Sequence, residues 1–169
     1  MTEILMVIAQ SVFRDEEYAQ PKAIFERRGA HVTTASEEAG PATGRFGLVA
    51  TADIALEDAD PDDYDAVVFV GGGGAEVFFD DPAAHEVARS AYESGKVVAA
   101  ICIAPSTLAR AGLLDGRRAT AFPSQQNDLI LRGAVWTGQS VTVDAPFVTG
   151  NGPEAAREFG EAVADLVGL

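Results

Sequence analysis

This 169-residue sequence predicts a doubly wound α/β domain, a mostly parallel sheet covered by helices on both faces. Three observations predict it. Short apolar runs that read as strands alternate with longer segments of helical spacing, and parallel strands need such helical crossovers. The strand runs are apolar almost throughout rather than at every second residue, the pattern of strands buried on both faces. The helical segments stop at glycines, where a helix ends readily.

The elements follow in order. "EILMVIA" (3–9) is a buried-strand run, "EYAQPKAIFERRG" (17–29) is helical with Gly29 as its stop, and "HVTTAS" (31–36) is a strand, which completes one β-α-β unit. "GLVATADIAL" (47–56) suggests a short strand or hairpin arm, and "YDAVVFVGGGG" (64–74) is a strong buried strand running into a glycine loop. "PAAHEVARSAYESGK" (82–96) is helical, "VVAAI" (97–101) is the next strand, and "APSTLARAGLLDG" (104–116) carries a helix. "DLILRG" is helical, "AVWTGQSVTVDAPFVTG" holds strands with a potential hairpin, and "PEAAREFGEAVADLVG" (153–168) is an amphipathic helix. The length suits one domain over residues 1–169, which buries roughly two-thirds of its unfolded surface.

Composition excludes several function classes. With 12 Lys+Arg against 26 Asp+Glu the net charge is −14, which repels phosphate backbones and anionic lipids, so nucleic acid is not an expected partner. The longest uncharged stretches are too short for a membrane span, and "MTEILMVIAQ" reads as a first strand rather than a leader, so the cytoplasm is the expected compartment. One cysteine rules out an internal disulfide, and with only His31 and His85 beside it no closely spaced metal-ligand set is present.

That single thiol, Cys102, stands where a strand gives way to a helix. Such a corner exposes a nucleophile at the top of the sheet, and the helix N-terminus behind it lowers a thiol pKa. The other reading of the corner is a buried, inert cysteine that packs as a small hydrophobe. "GGGG" (71–74) lets backbone approach a ligand closely and offers free N–H groups to an oxyanion, or is only a tight turn; it lacks G-x-G-x-x-G spacing. If the strands before these two loops are neighbours, loop and thiol share one crevice. Asp15, Glu16 and Glu17 open a helix, where carboxylates are favoured in any case; a carboxyl near the thiol would hold a proton if burial raised its pKa.

Together "FRDEEYAQP", "YDAVVFVGGGGAE" and "AAICIAPSTLARAGLLDGRRATAFP" resemble the ThiJ/PfpI superfamily, which includes the parkinsonism-associated protein deglycase and the PfpI-type intracellular proteases. The resemblance covers nearly the whole chain and implies a flavodoxin-like fold. It places Cys102 at the family's nucleophile and Glu17, four residues before Pro21, at the glutamate that hydrogen-bonds the thiol. Gly72 and the backbone of Ile103 take the positions of oxyanion donors. Arg27 matches an arginine that in some members lies near the cysteine across a dimer interface, so a homodimer or higher homo-oligomer is implied.

Two departures separate this chain from both main branches. Ile103 follows the cysteine where the protease-like branch has histidine, and Phe122 precedes Pro123 where the deglycase branch has histidine. Cys-His proteolysis needs that base to protonate an amine leaving group. The resemblance therefore implies, first, cofactor-independent glyoxalase or deglycase chemistry on a small electrophilic carbonyl, methylglyoxal to lactate. The alternatives are an oxidation sensor or chaperone without turnover, a PfpI-type cysteine peptidase, and an isocyanide-hydratase-like enzyme.

Overall fold

The computed structural model describes residues 1–169. In chain order the elements are β1 (Glu3–Val7), β2 (Ser11–Phe13), α1 (Asp15–Arg27), β3 (His31–Ser36), β4 (Gly40–Gly44), β5 (Val49–Ala52), β6 (Ile54–Ala55) and β7 (Ala66–Phe69). They continue with α2 (Pro82–Glu93), β8 (Val97–Ile101), α3 (Pro105–Arg110), β9 (Arg118–Ala119), α4 (Gln126–Leu131), β10 (Val135–Trp136), β11 (Val141–Asp144), β12 (Phe147–Gly150) and α5 (Ala156–Val167).

Seven strands form the main sheet in the order β11-β12-β8-β7-β1-β3-β6. All its pairings are parallel except β11 with β12, so the expected mostly parallel α/β sheet is the observed one. Successive side chains of a strand point to opposite faces, and here both faces are covered. Leu5, Val7, Val67, Phe69, Val98 and Ala100 pack with Val87 of α2 and Leu108 of α3. Their neighbours Ile4, Met6, Val68, Ala99 and Ile101 face the other way, against Ile24 and Phe25 of α1 and Phe159 and Val163 of α5. That double burial is why the strand sequences are apolar without a break.

Strand β1 is the hinge of the topology. Its successor in the sheet, β3, lies on one side and β7 on the other, so the crossovers from β1 and β7 leave in opposite directions and open a crevice at the carboxyl ends of the strands. Helix α1 starts at Asp15, two residues before the helical segment read from Glu17, and Pro21 lies inside it; the helix carried by 104–116 occupies Pro105–Arg110, and turns follow it. The segment 47–56 divides into β5 and β6, and β5 closes a hairpin with β4, to which β2 adds in parallel. No helix is long and apolar enough to cross a membrane.

Candidate functional site

Three loops meet at the carboxyl edge of the sheet: the β1–α1 connection, the glycine run after β7 and the corner after β8. The strands before the last two are direct neighbours, so the glycine loop and the thiol share one crevice. The Arg14 amide donates to the Gly71 carbonyl at 2.9 Å, which ties the first loop to the second. The glycines are needed for closeness. A β-carbon on Gly72, which has φ +97°, would collide with backbone atoms of Val12 and Arg14, and one on Gly74 with the Ser11 carbonyl. A β-carbon on Gly71 would lie 2.5 Å from Cys102 Cβ and 2.5 Å from Glu17 Oε1. Gly71 is thus the gap through which the thiol-bearing and carboxylate-bearing side chains approach each other.

Cys102 adopts φ +65°, a left-handed conformation that costs a non-glycine residue about 1–3 kcal/mol and persists only where its surroundings impose it. Here they do. Its amide donates to the Gly150 carbonyl (2.9 Å), its carbonyl accepts from the Phe122 amide (2.8 Å), and Pro105 opens α3 three residues later. The thiol is free and the residue only 7% exposed.

Burial then decides the electrostatics. The sequence-based expectation of an acidified thiol is not met: burial, and next the negative charge of Glu17, push the Cys102 thiol up to about 12. The amides of Gly72 and Ile103 face the sulfur and pull the other way, but α3 has only six residues and burial outweighs them. Glu17 is wholly buried, and burial raises its carboxyl to about 7; the Cys102 side chain is the largest influence opposing that rise. Neither Glu17 oxygen has a hydrogen-bond partner of ordinary geometry, although Cys102 and the Gly71 amide lie beside it. A buried carboxyl left without a partner and poised near neutrality is suited to taking a proton from the adjacent thiol and giving it back.

Its two acidic neighbours have other duties. Asp15 accepts from the amides of Phe46 (3.1 Å) and Leu48 (3.0 Å), which outweigh partial burial and lower its pKa, and Glu16 pairs with Arg14 Nε at 3.0 Å. Arg27 is exposed at the far end of α1, roughly 15 Å along the axis from Glu17 at 1.5 Å per residue, and makes no ion pair within the chain. His31 pairs with Glu3, His85 bonds the Phe79 carbonyl, and neither lines the crevice.

A cavity of about 190 Å³ opens onto the thiol; Arg14, Arg45, Gly72, Ile103 and Phe122 are among the residues around it. Sequence reasoning missed the two arginines. Arg14 directly precedes the acidic run Asp15–Glu17, whose pattern signals only a helix start, and Arg45 reaches the site only because the β4–β5 turn folds over it. A larger recess of about 560 Å³ lies between α1 and β5, but it contains none of the thiol's neighbours. No group of three or more His, Cys, Asp or Glu side chains is arranged to hold a metal ion.

The thiol corner, the glycine loop and the buried glutamate coincide with a match to the DJ-1/PfpI family model over residues 2–166. The chain belongs to the DJ-1/PfpI family. Relatives agree over most of its length. An uncharacterized protein of Methanocaldococcus jannaschii is 40% identical over 98% of this chain and 82% of its own. The deglycase PfpI of Pyrococcus furiosus is 33% identical over 88% of this chain and 90% of its own. The crystal structure of a ThiJ/PfpI domain protein from Brachyspira murdochii superposes with a TM-score of 0.96 at 31% identity, covering 98% of this chain and 95% of that one. Membership in the DJ-1/PfpI family agrees with the flavodoxin-like sheet.

Proposed function

We propose that this DJ-1/PfpI-family chain converts small α-oxo aldehydes to hydroxy acids, methylglyoxal to lactate, with Cys102 as nucleophile and Glu17 as its proton-transfer partner. The observation that carries this reading is the buried, unpartnered Glu17 carboxyl facing the thiol across Gly71. A thiol with a pKa of about 12 is protonated at rest, so attack requires a base at the moment of bond formation. Glu17 takes the thiol proton as sulfur bonds to the aldehyde carbon. The carbonyl π electrons move to oxygen, which the Gly72 and Ile103 amides are placed to stabilise, and the proton then goes to that oxygen. Glu17 next takes the aldehyde-carbon proton to give an enediol, the hydroxyl proton on the former aldehyde oxygen passes to the neighbouring oxygen, and Glu17 returns its proton to the adjacent carbon, which leaves a thioester of the hydroxy acid. Water cleaves it to lactate and regenerates the thiol.

Aldehyde chemistry suits this site better than peptide cleavage because no amine leaving group has to be protonated. Phe122 and Ile103, which stand where the branches carry histidine, supply no base. The name of the P. furiosus relative, a deglycase, supports a reactive-carbonyl substrate. A homodimer is part of the proposal: Arg27, exposed and unpaired, is the side chain it would bring toward the partner's thiol.

The test is lactate formation from methylglyoxal by reduced wild type, Cys102→Ser and Glu17→Gln. The expected result is turnover in the wild type, with both variants reduced at least 100-fold. No turnover in a wild-type preparation shown to be reduced overturns the reading and leaves oxidation sensing as the better account; peroxide titration would then stop at a sulfinate, two added oxygens by intact mass.

A further inference from the structure

The cavity over Cys102 carries an electrostatic feature that the proposed chemistry does not use. Both Arg14 and Arg45 line it. Their guanidinium carbons lie 4.9 Å and 5.6 Å from the centroid of one ring, Phe46, so two like charges are held over a single aromatic side chain. Asp15 fixes the turn that carries Arg45 and Phe46 by accepting the Phe46 and Leu48 amides. Glu16 neutralises Arg14 in part through Nε, but the Arg45 side chain has neither a salt bridge nor a hydrogen bond. In a chain with 26 acidic residues against 12 basic ones, two arginines lining the thiol cavity, one of them without an ion pair, are a local reversal of the molecule's field. Guanidinium groups bind carboxylates through paired N–H donors, and an anion in the cavity that both arginines line would be attracted by both.

We infer that this site selects small carbonyl compounds that carry a carboxylate close to the carbonyl, with Arg45 and Arg14 as the residues that hold it. The inference rests on the reactive-carbonyl reading for its chemistry and adds the charge of the substrate. The volume, about 190 Å³, limits the class to compounds of a few carbons. Glyoxylate is the smallest example: sulfur adds to its aldehyde carbon, the thiol proton ends on the former carbonyl oxygen, and the carboxylate stays with the arginines.

Alkylation separates charge preference from turnover. Iodoacetate and iodoacetamide differ in charge and little in size, and each is attacked by sulfur with iodide leaving and the thiol proton released. The ratio of their rates therefore cancels the reactivity of the thiol. Relative to N-acetylcysteinamide, the ratio of iodoacetate to iodoacetamide at Cys102 is expected to be at least tenfold higher, and to fall at least fivefold in Arg45→Gln, in Arg14→Gln and in 0.5 M NaCl. Glyoxylate should protect Cys102 from iodoacetamide in the wild type and lose that protection in Arg45→Gln.

A ratio equal to that of the reference thiol, a ratio unchanged in both arginine variants, or a folded, reduced protein inert to both reagents overturns the inference. The two readings fail separately. Lactate formation from methylglyoxal with an unexceptional alkylation ratio keeps the enzyme and removes the anion preference; a raised ratio without lactate does the reverse.

Discussion

At the scale of single residues, the buried Glu17 carboxyl makes stability depend on pH. Its carboxyl is raised from 4.5 to about 7 in the folded chain, so the folded state holds its proton more tightly than the unfolded one. Stability is accordingly full below pH 4.5 and falls as pH rises through 7, by roughly 3 kcal/mol at 1.36 kcal/mol per unit. Glu17→Gln keeps the shape and removes the titration. It is expected to be more stable than wild type at pH 8, by about 2–3 kcal/mol in chemical denaturation, with the difference shrinking towards zero at pH 4.5 to 5. A gap independent of pH would show that the carboxyl does not titrate there. Cys102 stood out in the sequence as the lone thiol at a strand exit, whereas Glu17 was separated from Asp15 and Glu16 only by the family resemblance of the segment that ends at Pro21. The thiol's high pKa was not legible, because it depends on burial that only the packed loops create. Arg45 was invisible for a similar reason: its place at the site is set by a turn 57 residues before the cysteine, in a segment without strand periodicity.

At the scale of elements, the strands of the main sheet were legible because burial on both faces leaves an uninterrupted apolar run. Strands β3 and β8 have the bounds their sequences suggest. What escaped notice lies outside that sheet. The β2 strand has three residues, and β4 reads "GPATG", so neither carries enough apolar sequence to signal itself. Yet these two place the Arg45 turn. A second element-scale feature is the crossing of α1 and α5, which covers one face of the sheet behind Glu17. It is close because α5 presents Gly160: a β-carbon there would come within 3.0 Å of Pro21 Cα and 3.0 Å of Ile24 Cδ1. Pro21 Cα is backbone and cannot yield. Gly160→Leu is therefore expected to destabilise the chain by about 1–3 kcal/mol despite the better helix propensity of leucine, as overpacked cores do. Urea titration measures this; a variant as stable as wild type would mean that the helices slide apart at no cost.

At the scale of the whole molecule the dominant quantity is the net charge of −14. A chain of this length has a radius of gyration of about 15 Å when folded. At 0.01 M salt the Debye length is about 30 Å, so every surface carboxylate acts on every other; at 0.15 M it is about 8 Å and only near neighbours interact. The connection between β6 and β7 concentrates the effect. Glu57, Asp58, Asp60, Asp62 and Asp63 follow one another there, and none has a cationic partner, although Asp60 caps its own turn by accepting the Asp62 amide. The ion pairs that do form, such as Arg28 with Glu161 and Asp165 or Arg110 with Asp80 and Asp128, lie at the surface. Such solvent-screened pairs are weak and weaken further with salt. Repulsion spread over 26 carboxylates should outweigh them. The midpoint of thermal unfolding at pH 8 is therefore expected to rise by several degrees between 0.01 M and 0.2 M NaCl and then level off, since screening saturates once the Debye length falls below the spacing of the charges. At pH 5 the rise should be smaller, because carboxylates begin to take up protons there. A midpoint that falls with salt would make the ion pairs the controlling interaction and the acidic surface only a solvated one.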